Sequence, residues 1–271
     1  MLAAAAAGVL VSACAAGAGL PGAAAEHHSH PVPVRPGPAS PAAASPTAAP
    51  AARPLTGKII GIDPGHNGGN FADPSYIGRL IWNGREWETC NTTGTETNGG
   101  YTEARFNFNV AMFLRRDLLR DGAQVVMTRS SNSGVGPCVN RRAQIINRSH
   151  AAVAIDIHAD GGPASGRGFT VLEPVADGPN DKVISASLRL GRDVRLAFLR
   201  YTSMPVSTYD GVDGLTRRDN LAGLNLTRVP EVLIECGNMR NSTDAALLTS
   251  ARFQKQVAAA LLAATLRFLA G

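Results

Sequence analysis

The chain has 271 residues, a formal net charge of +5 at pH 7, a hydrophobic content of 44% and four cysteines. Its basic residues are mostly arginines scattered along the sequence, which argues against a nucleic-acid partner and suits an anionic cell wall or membrane surface. The sequence contains no internal repeat. Its glycine-rich stretch at 65–69 lacks the Lys-Ser/Thr pair of a phosphate-binding loop.

The first 25 residues resemble a secretory signal. They are nearly all Ala, Gly, Val and Leu, although no Lys or Arg precedes Arg35. Two processing sites compete: Val11-Ser12-Ala13-Cys14 resembles a lipobox that would leave a lipid on Cys14, and Ala23-Ala24-Ala25 fits an ordinary signal-peptidase site. A membrane-spanning helix is disfavoured because Gly and Pro interrupt the run. We expect export to the periplasm or cell wall, either as a free protein or as a membrane-anchored lipoprotein.

Residues 26–57 are rich in Pro and Ala. Because they have almost no aliphatic pattern, they cannot bury enough apolar surface to order themselves, and we predict a disordered, semi-rigid spacer. His27, His28 and His30 at its start could collect a metal ion, but a solvated tail is the favoured interpretation. Residues 58–271 then form one domain of ordinary size with a single core.

Apolar runs alternate with amphipathic segments along this domain. They predict strands at 58–62, 123–128, 151–157, 168–172, 221–226 and 231–235, helices at 102–122, 140–149, 183–201 and 251–269, and a long polar insertion at 67–101. Strands that alternate with helices indicate an α/β fold: a single domain with a mostly parallel central sheet and helices on both faces.

Three polar residues stand where the edge of such a sheet would bring them together. His66 follows the first strand through a Pro-Gly turn, Glu103 opens the first long helix, and His158 ends a buried strand. Taken singly, Glu103 suits a helix N-terminus and His158 suits a strand end. Together they supply the two imidazoles and one carboxylate that a catalytic zinc site uses, with a fourth position for water. We therefore predict that His66, Glu103 and His158 bind Zn²⁺.

Glu235 ends the apolar run at 232–234, where burial disfavours its charge unless a cation or hydrogen bonds compensate. We predict that it is the catalytic acid/base, which takes a proton from a zinc-activated water and passes it to the leaving amine. The alternative is a buried pair with an arginine. Asp63 either orients a metal-bound histidine or stabilises its own turn.

The remaining cysteines have different surroundings. Cys90 and Cys138 lie in polar loops, and in an exported protein they are expected to form a disulfide. Cys236 lies in an apolar run and is predicted to be a buried small residue, with a nucleophile as the alternative. Trp82 and Trp87 of the insertion either shape a groove or form the insertion's own core.

Four stretches, in this order, resemble the zinc-dependent N-acetylmuramoyl-L-alanine amidases of the amidase-3 family. The stretches are Ile62-Asp63-Pro64-Gly65-His66, the helix-opening Glu103, Ala154-Ile155-Asp156-Ile157-His158-Ala159-Asp160, and Val232-Leu233-Ile234-Glu235-Cys236-Gly237-Asn238. The resemblance covers essentially all of residues 58–271. Within the family the chain is most similar to the small mycobacterial and related actinobacterial members, which have no recognisable wall-binding repeat.

The resemblance implies that His66, Glu103 and His158 hold zinc and that Glu235 is the catalytic acid/base. It also implies a peptidoglycan or muropeptide substrate, cut at the amide between N-acetylmuramic acid and the first L-alanine of the stem peptide. A zinc peptidase or deacetylase acting on cell-wall material is the alternative enzyme, and a non-catalytic peptidoglycan-binding module is the alternative outside enzymes. We expect a monomer whose only contact with a membrane is lipidation at Cys14.

Overall fold

The computed structural model describes residues 53–271 and the single residue Gly37. The predicted export signal and most of the predicted spacer, with Cys14 and the three clustered histidines, lie outside the described residues. In the described part the strands are β1 (Ile59–Pro64), β2 (Leu80–Trp82), β3 (Trp87–Thr89), β4 (Gln124–Met127), β5 (Val153–Asp160), β6 (Thr170–Pro174), β7 (Leu215–Arg218) and β8 (Glu231–Asn238).

Helices of very different length connect and cover these strands. Over the described residues they are α1 (Pro74–Ile77), α2 (Glu103–Arg120), α3 (Val139–Ser149), α4 (Ile184–Tyr201), α5 (Ala222–Leu226), α6 (Ser242–Leu248) and α7 (Ala251–Ala270). Among the helices of residues 53–271, none combines the length and the apolar character that crossing a membrane requires.

Six strands form one sheet in the order β4-β1-β5-β8-β6-β7. β1 pairs in parallel with β4 and β5, and β5 pairs in parallel with β8. β6 runs antiparallel to β8, and the edge strand β7 pairs in parallel with β6. The prediction of a single α/β domain with a mostly parallel sheet and helices on both faces is confirmed.

The larger core lies on the face of the sheet that α2, α4 and α7 cover. Ile62, Ile155 and Val232 stand side by side on three parallel strands and are fully buried in it. Side chains alternate along a strand, so their neighbours Asp63 and Asp156 point to the opposite face. That face is covered by the shorter helices α3 and α5. The polar side chains that the sheet contributes near the site therefore come from the more thinly covered face, whereas Glu103 comes from α2 on the other face.

One predicted strand is wrong, because residues 221–226 form the helix α5. This apolar run is too short for its periodicity to separate a buried helix from a strand. The sequence patterns also do not predict β7, the hairpin of β2 and β3, or α6, whose first turn is capped by the Asn241 side chain. β7 is mostly Thr and Arg, so no apolar alternation marks it.

The folded domain begins before the predicted boundary at residue 58. Leu55 is 1% exposed and packs in the main core, and its backbone N–H donates to the Asp121 carbonyl (3.0 Å). One apolar side chain and one backbone hydrogen bond thus attach residues 53–57, which the sequence analysis placed in the spacer, to the end of α2.

The three cysteines among residues 53–271 behave as predicted. Cys90 and Cys138 form a disulfide that joins the 67–101 insertion to the start of α3. Cys236 is fully buried in the main core, and burial raises the pKa of its thiol well above the usual range, which disfavours a nucleophilic thiolate. Trp82 and Trp87 pack against each other, edge to face at 5.7 Å, but stay 46% and 64% exposed. They are therefore not a core for the insertion.

Candidate metal centre

His66 lies on the turn that follows β1, with its backbone in the left-handed region at a φ of 58°. Its Nδ1 is 3.2 Å from the Thr92 carbonyl oxygen and 3.2 Å from Thr92 Oγ1. A carbonyl can only accept, so this contact favours the proton on Nδ1 and leaves a lone pair on Nε2. Nε2 faces Glu103, 3.3 Å from Oε2. Two loops thus set both the orientation and the tautomer of this imidazole.

Glu103 is the first residue of α2, where the helix macrodipole favours a negative charge. Its carboxylate is buried and accepts hydrogen bonds from the backbone N–H groups of Thr95 (3.0 Å to Oε2) and Ala159 (3.2 Å to Oε1). Burial opposes its ionisation, but the charges and hydrogen bonds of His66 and His158 hold the pKa of Glu103 well below its usual range. The side chain is thus an ionised and rigidly held acceptor.

His158 lies near the carboxyl end of β5 with a carboxylate on each side of its ring. Nδ1 is 2.8 Å from Glu103 Oε1, and Nε2 is 3.3 Å from Asp156 Oδ1. The second contact has an ion-pair distance but not the alignment of a hydrogen bond. Burial opposes a proton on this ring, yet Asp156 and Glu103 together raise the pKa of His158 well above its usual range. Carboxylates that favour a proton on His158 also favour a divalent cation beside it.

The three side chains predicted to bind metal converge in one place. One ligand atom from each of His66, Glu103 and His158 lies within 4.8 Å of the others. Two glycines make this approach feasible: a Cβ on Gly65 would lie 2.1 Å from His158 Nε2, and a Cβ on Gly94 would lie 2.8 Å from Glu103 Oε2. Two imidazole nitrogens and one carboxylate oxygen are the donors of a three-ligand catalytic zinc site. The residues present therefore fit a zinc ion.

Glu235 lies on β8 in register with His158 on β5, one strand spacing away. Its Oε2 is shielded from solvent and has no hydrogen-bond partner among the described residues. Desolvation raises the pKa of Glu235 well above its usual range; His158 opposes this shift, and Glu103 and Asp160 add to it. Over the described residues no arginine lies within ion-pair distance, so the alternative of a buried pair with arginine is not observed.

Of the two roles considered for Asp63, its contacts are those of the second, stabilisation of its own turn, and not of the first, orientation of a metal-bound histidine. Its carboxylate accepts hydrogen bonds from Thr128 Oγ1 and Arg142 Nη1, both at 2.5 Å, and within the described residues it reaches no imidazole. Asp156, which the sequence analysis did not single out, occupies the position beside His158 instead. The sequence feature that could have identified Asp156 is its position two residues before His158, because residues two apart on a strand share a face.

Two buried arginines hold the turn that carries His66. Arg142, 2% exposed, donates to the carbonyl oxygens of Pro64 (2.8 Å) and His66 (2.5 Å). Arg129, 5% exposed, donates to those of Pro64 (2.7 Å) and Gly65 (3.2 Å). Pro64 ends β1 and the other two residues lie on the turn after it, so the guanidinium groups supply donors to backbone carbonyls where the ladder of β1 stops. The Gly65 carbonyl also accepts from Asn107 Nδ2 (3.2 Å).

Two hollows open beside the cluster. The first is a cavity of about 200 Å³ whose walls include His66, His158, Glu88, Asp156 and residues of α5. The second is a wider groove of about 850 Å³ whose wall includes Gly94. It is lined by Asn67, Gly68, Phe71, Thr93, Gly94, Thr95, Glu96, Thr102, Ala104, Gly161, Gly162, Ala164 and Arg240.

A mostly parallel sheet that gathers such donors near its strand ends, with a shielded carboxyl group beside them, is typical of metalloenzymes with an α/β fold. Comparison with known sequences narrows the class. The family model described as N-acetylmuramoyl-L-alanine amidase (Amidase_3) matches residues 60–267. The chain belongs to this family.

Individual relatives agree with this assignment. The chain is 39% identical over 223 residues to an N-acetylmuramoyl-L-alanine amidase of Mycobacterium tuberculosis, covering 80% of this chain and 88% of the relative. It is 26% identical over 234 residues to the germination-specific N-acetylmuramoyl-L-alanine amidase of Bacillus subtilis, covering 81% and 83%. The crystal structure of the amidase Ami1 from Mycobacterium smegmatis superposes with a TM-score of 0.75 at 37% identity, covering 80% of this chain and 98% of that one.

Proposed function

We propose that the protein hydrolyses the amide bond between N-acetylmuramic acid and the first L-alanine of the peptidoglycan stem peptide, with Zn²⁺ as its cofactor. The observation that carries this proposal is the convergence of His66, Glu103 and His158 beside Glu235 in a chain of this amidase family. Membership of the family supports the substrate, and the donor set supports the metal.

His66 through Nε2, Glu103 through its carboxylate and His158 through Nδ1 would hold the ion, because these atoms face one another. Bound there, zinc supplies Lewis-acid activation of water and of the amide carbonyl. Asp156 lies beside the other ring nitrogen of His158, Nε2, and favours a proton there. The lone pair of Nδ1 is then available to the metal ion.

Glu235 would move the proton. As water attacks the carbonyl carbon, the Glu235 carboxylate accepts a proton from that water, and it then delivers the proton to the nitrogen as the C–N bond breaks. The products are a muramic acid carboxylate and a stem peptide with a free amine. Burial raises the pKa of Glu235, which supports a group that holds a proton long enough to return it.

We infer that this reaction takes place outside the cytoplasm. Peptidoglycan is the substrate, and the Cys90–Cys138 disulfide suits an oxidising compartment. Lipid attachment at Cys14 stays a prediction. So does the monomeric state.

Mass spectrometry of muropeptides digested by the purified full-length protein tests the proposal. We expect a stem peptide with a new L-alanine amino terminus, lost with a chelator and recovered on adding zinc. A cut elsewhere in the peptide, or loss of the acetyl group, would replace the proposal with a peptidase or deacetylase. Binding of muropeptide without any cleavage in the presence of zinc would replace it with a binding module.

A further inference from the structure

The wide groove described above carries one cationic side chain that the proposed reaction does not use. Arg240 is exposed at the end of β8 and lines the groove. Its Nη1 donates to the Glu96 carbonyl oxygen (3.3 Å). Among the residues the structure describes, no carboxylate lies within ion-pair distance of it. Most of its five N–H donors are therefore available to a ligand.

The backbone that carries Arg240 is firmly held. Its N–H donates to Asn238 Oδ1 (2.9 Å), and the fully buried Asn238 in turn donates from Nδ2 to the carbonyl oxygens of Pro163 and Gly166 (2.8 Å each). The preceding Met239 is also fully buried. A firmly held backbone that presents a guanidinium group to a groove is suited to recognise a carboxylate, because arginine binds that group with two parallel hydrogen bonds.

The groove reaches the candidate metal centre. Gly94 and Thr95 form part of its wall, and the Thr95 N–H donates to Glu103 Oε2 (3.0 Å). The Thr95 N–H contacts Glu103, and the carbonyl of the next residue, Glu96, accepts from Arg240. These two backbone groups belong to two consecutive residues, which span at most about 7 Å. The guanidinium thus lies within about 13 Å of the Glu103 carboxylate. A substrate extended by about two residues, roughly 7 Å, from a bond cut at the centre would span this distance once about 3 Å is added for the contact at each end.

The lining of this groove differs in charge from that of the smaller cavity. Apart from the candidate ligands, the cavity has three acids and one base, Asp63, Glu88, Asp156 and Arg142, whereas the groove has one acid and one base, Glu96 and Arg240. The proposed substrate has a neutral sugar on one side of the scissile amide and an acidic peptide on the other. An anionic peptide therefore meets fewer acids in the groove than in the cavity, and Arg240 is the groove side chain that attracts it.

We propose that the groove holds the stem peptide and that Arg240 binds the free α-carboxylate of the γ-linked glutamate that follows L-alanine. This assignment rests on the proposed function, because it takes the scissile amide to lie at the candidate metal centre. It makes Arg240 a determinant of specificity that separates stem peptides with a free carboxylate from those in which it is amidated.

Paired substrates test the proposal. We would measure kcat/KM of the full-length zinc-loaded protein for N-acetylmuramoyl-L-alanyl-γ-D-glutamyl-L-lysine amide, in which the glutamate α-carboxylate is the only carboxylate of the peptide, and for the same compound with that α-carboxylate amidated. An exposed charge-assisted contact predicts a preference of about tenfold for the acid. The preference should fall to about one in Arg240→Gln and invert in Arg240→Glu, and it should weaken at high salt. Arg252→Gln, on the exposed face of α7, is the matched control and should keep the preference.

Equilibrium binding of the same two compounds in a Glu235→Gln background gives the ratio independently of turnover. A preference for the acid that depends on Arg240 in this assay would support the groove assignment even if the cleavage proposed above were not observed. Equal binding of acid and amide, or a preference that survives Arg240→Gln, would overturn it.

Discussion

At the scale of single residues, the smallest side chains decide whether the candidate centre can form. Gly65 lies against the imidazole of His158, and Gly94 lies against both His66 and Glu103. Protein interiors are closely packed, so an extra methyl group cannot be accommodated without movement where backbone and side chain are already in contact. The glycine in the Asp-Pro-Gly-His turn thus has a packing role at the site beyond its freedom in a turn.

Gly65→Ala should weaken metal binding. The added Cβ would lie 2.1 Å from His158 Nε2, so the imidazole must leave the position in which it faces the other candidate ligands. We expect zinc affinity to fall at least about tenfold, the loss typical of misplaced ligand support. Zinc titration followed by mass spectrometry of the metal content measures it. Gly99→Ala, whose nearest neighbour would be 3.8 Å away, is the control, and equal zinc binding by both variants would refute the packing role.

Glu231 is a buried acid far along β8 from the site. It is 1% exposed, and its Oε2 has no hydrogen-bond partner among the described residues. Burial raises the pKa of Glu231 well above its usual range, and the negative charge of Asp156 adds to the shift. The folded protein therefore keeps a proton that the unfolded chain loses above about pH 4.3. Because the folded state binds more protons in this window, the free energy of unfolding must fall as pH rises through it.

Glu231→Gln should flatten this dependence. The amide does not ionise, so the variant gains stability relative to the wild type between about pH 4 and pH 8, by roughly 1.4 kcal/mol for each unit by which the folded pKa exceeds the unfolded one. Urea unfolding at both pH values measures the change. Glu86→Gln, at an exposed acid, should run parallel to the wild type. A Glu231→Gln curve that also stays parallel would show that Glu231 is ionised in the folded state.

The sequence predicts which residues belong to the candidate site better than it predicts the contacts that these residues make. His66 follows β1, Glu103 opens α2, and His158 and Glu235 lie side by side in the carboxyl-terminal halves of β5 and β8, so their convergence follows from the parallel sheet. Arg142 could not be predicted as a neighbour of Asp63, because the two are 79 residues apart and meet only through the packing of α3 against β1. Contacts of this kind depend on tertiary structure, which no local pattern encodes.

At the scale of elements, the long insertion is attached to the sheet through α3. The Cys90–Cys138 disulfide joins them, and beside it Val139 N–H donates to the Cys90 carbonyl (2.8 Å). Thr92, which contacts His66 Nδ1, lies two residues after Cys90. The disulfide thus anchors the loop that orients one candidate ligand.

Replacing both cysteines by serine should destabilise the protein. The bridge spans 48 residues, for which the chain-entropy treatment gives about 4 kcal/mol and typical measurements give about 2–4 kcal/mol. Urea unfolding with and without a thiol reductant measures the loss. The reductant should lower the wild type to the level of the double variant and leave the variant unchanged. No difference between the oxidised wild type and the variant would contradict a stabilising bridge.

Elements with a clear apolar period are predicted, and those without one are not. α2, α4 and α7 bury one apolar face each, and β5 and β8 are nearly continuous apolar runs. β7 is not predicted because Thr and Arg dominate its sequence. α5 is predicted as a strand because the apolar run 221–226, only six residues long, fits a strand as well as a helix. Both are short, so tertiary packing rather than local preference decides their conformation.

At the scale of the whole molecule, the candidate centre links α2, β1, β5 and the insertion, so a bound ion should stabilise the entire fold. A ligand that binds only the folded state adds about 2.7 kcal/mol at a hundredfold excess over its Kd. We expect a chelator to lower Tm and zinc to restore it in the wild type but not in Gly65→Ala. Calorimetry measures this, and a Tm indifferent to zinc in the wild type would argue against a metal at the cluster.

The proposed role of Glu235 as the catalytic acid/base is tested most directly by comparing Glu235→Gln with the wild type. Two quantities are measured on the same protein: zinc content per chain and release of stem peptide from muropeptides. Glu235 lies beside the three candidate ligands without being one, so the variant should hold zinc as the wild type does. Its release of stem peptide should fall by about 10² to 10⁴-fold, the usual contribution of a general acid/base. Release near the wild-type rate from the zinc-loaded variant would contradict the assignment of Glu235 and, with it, the proposed mechanism.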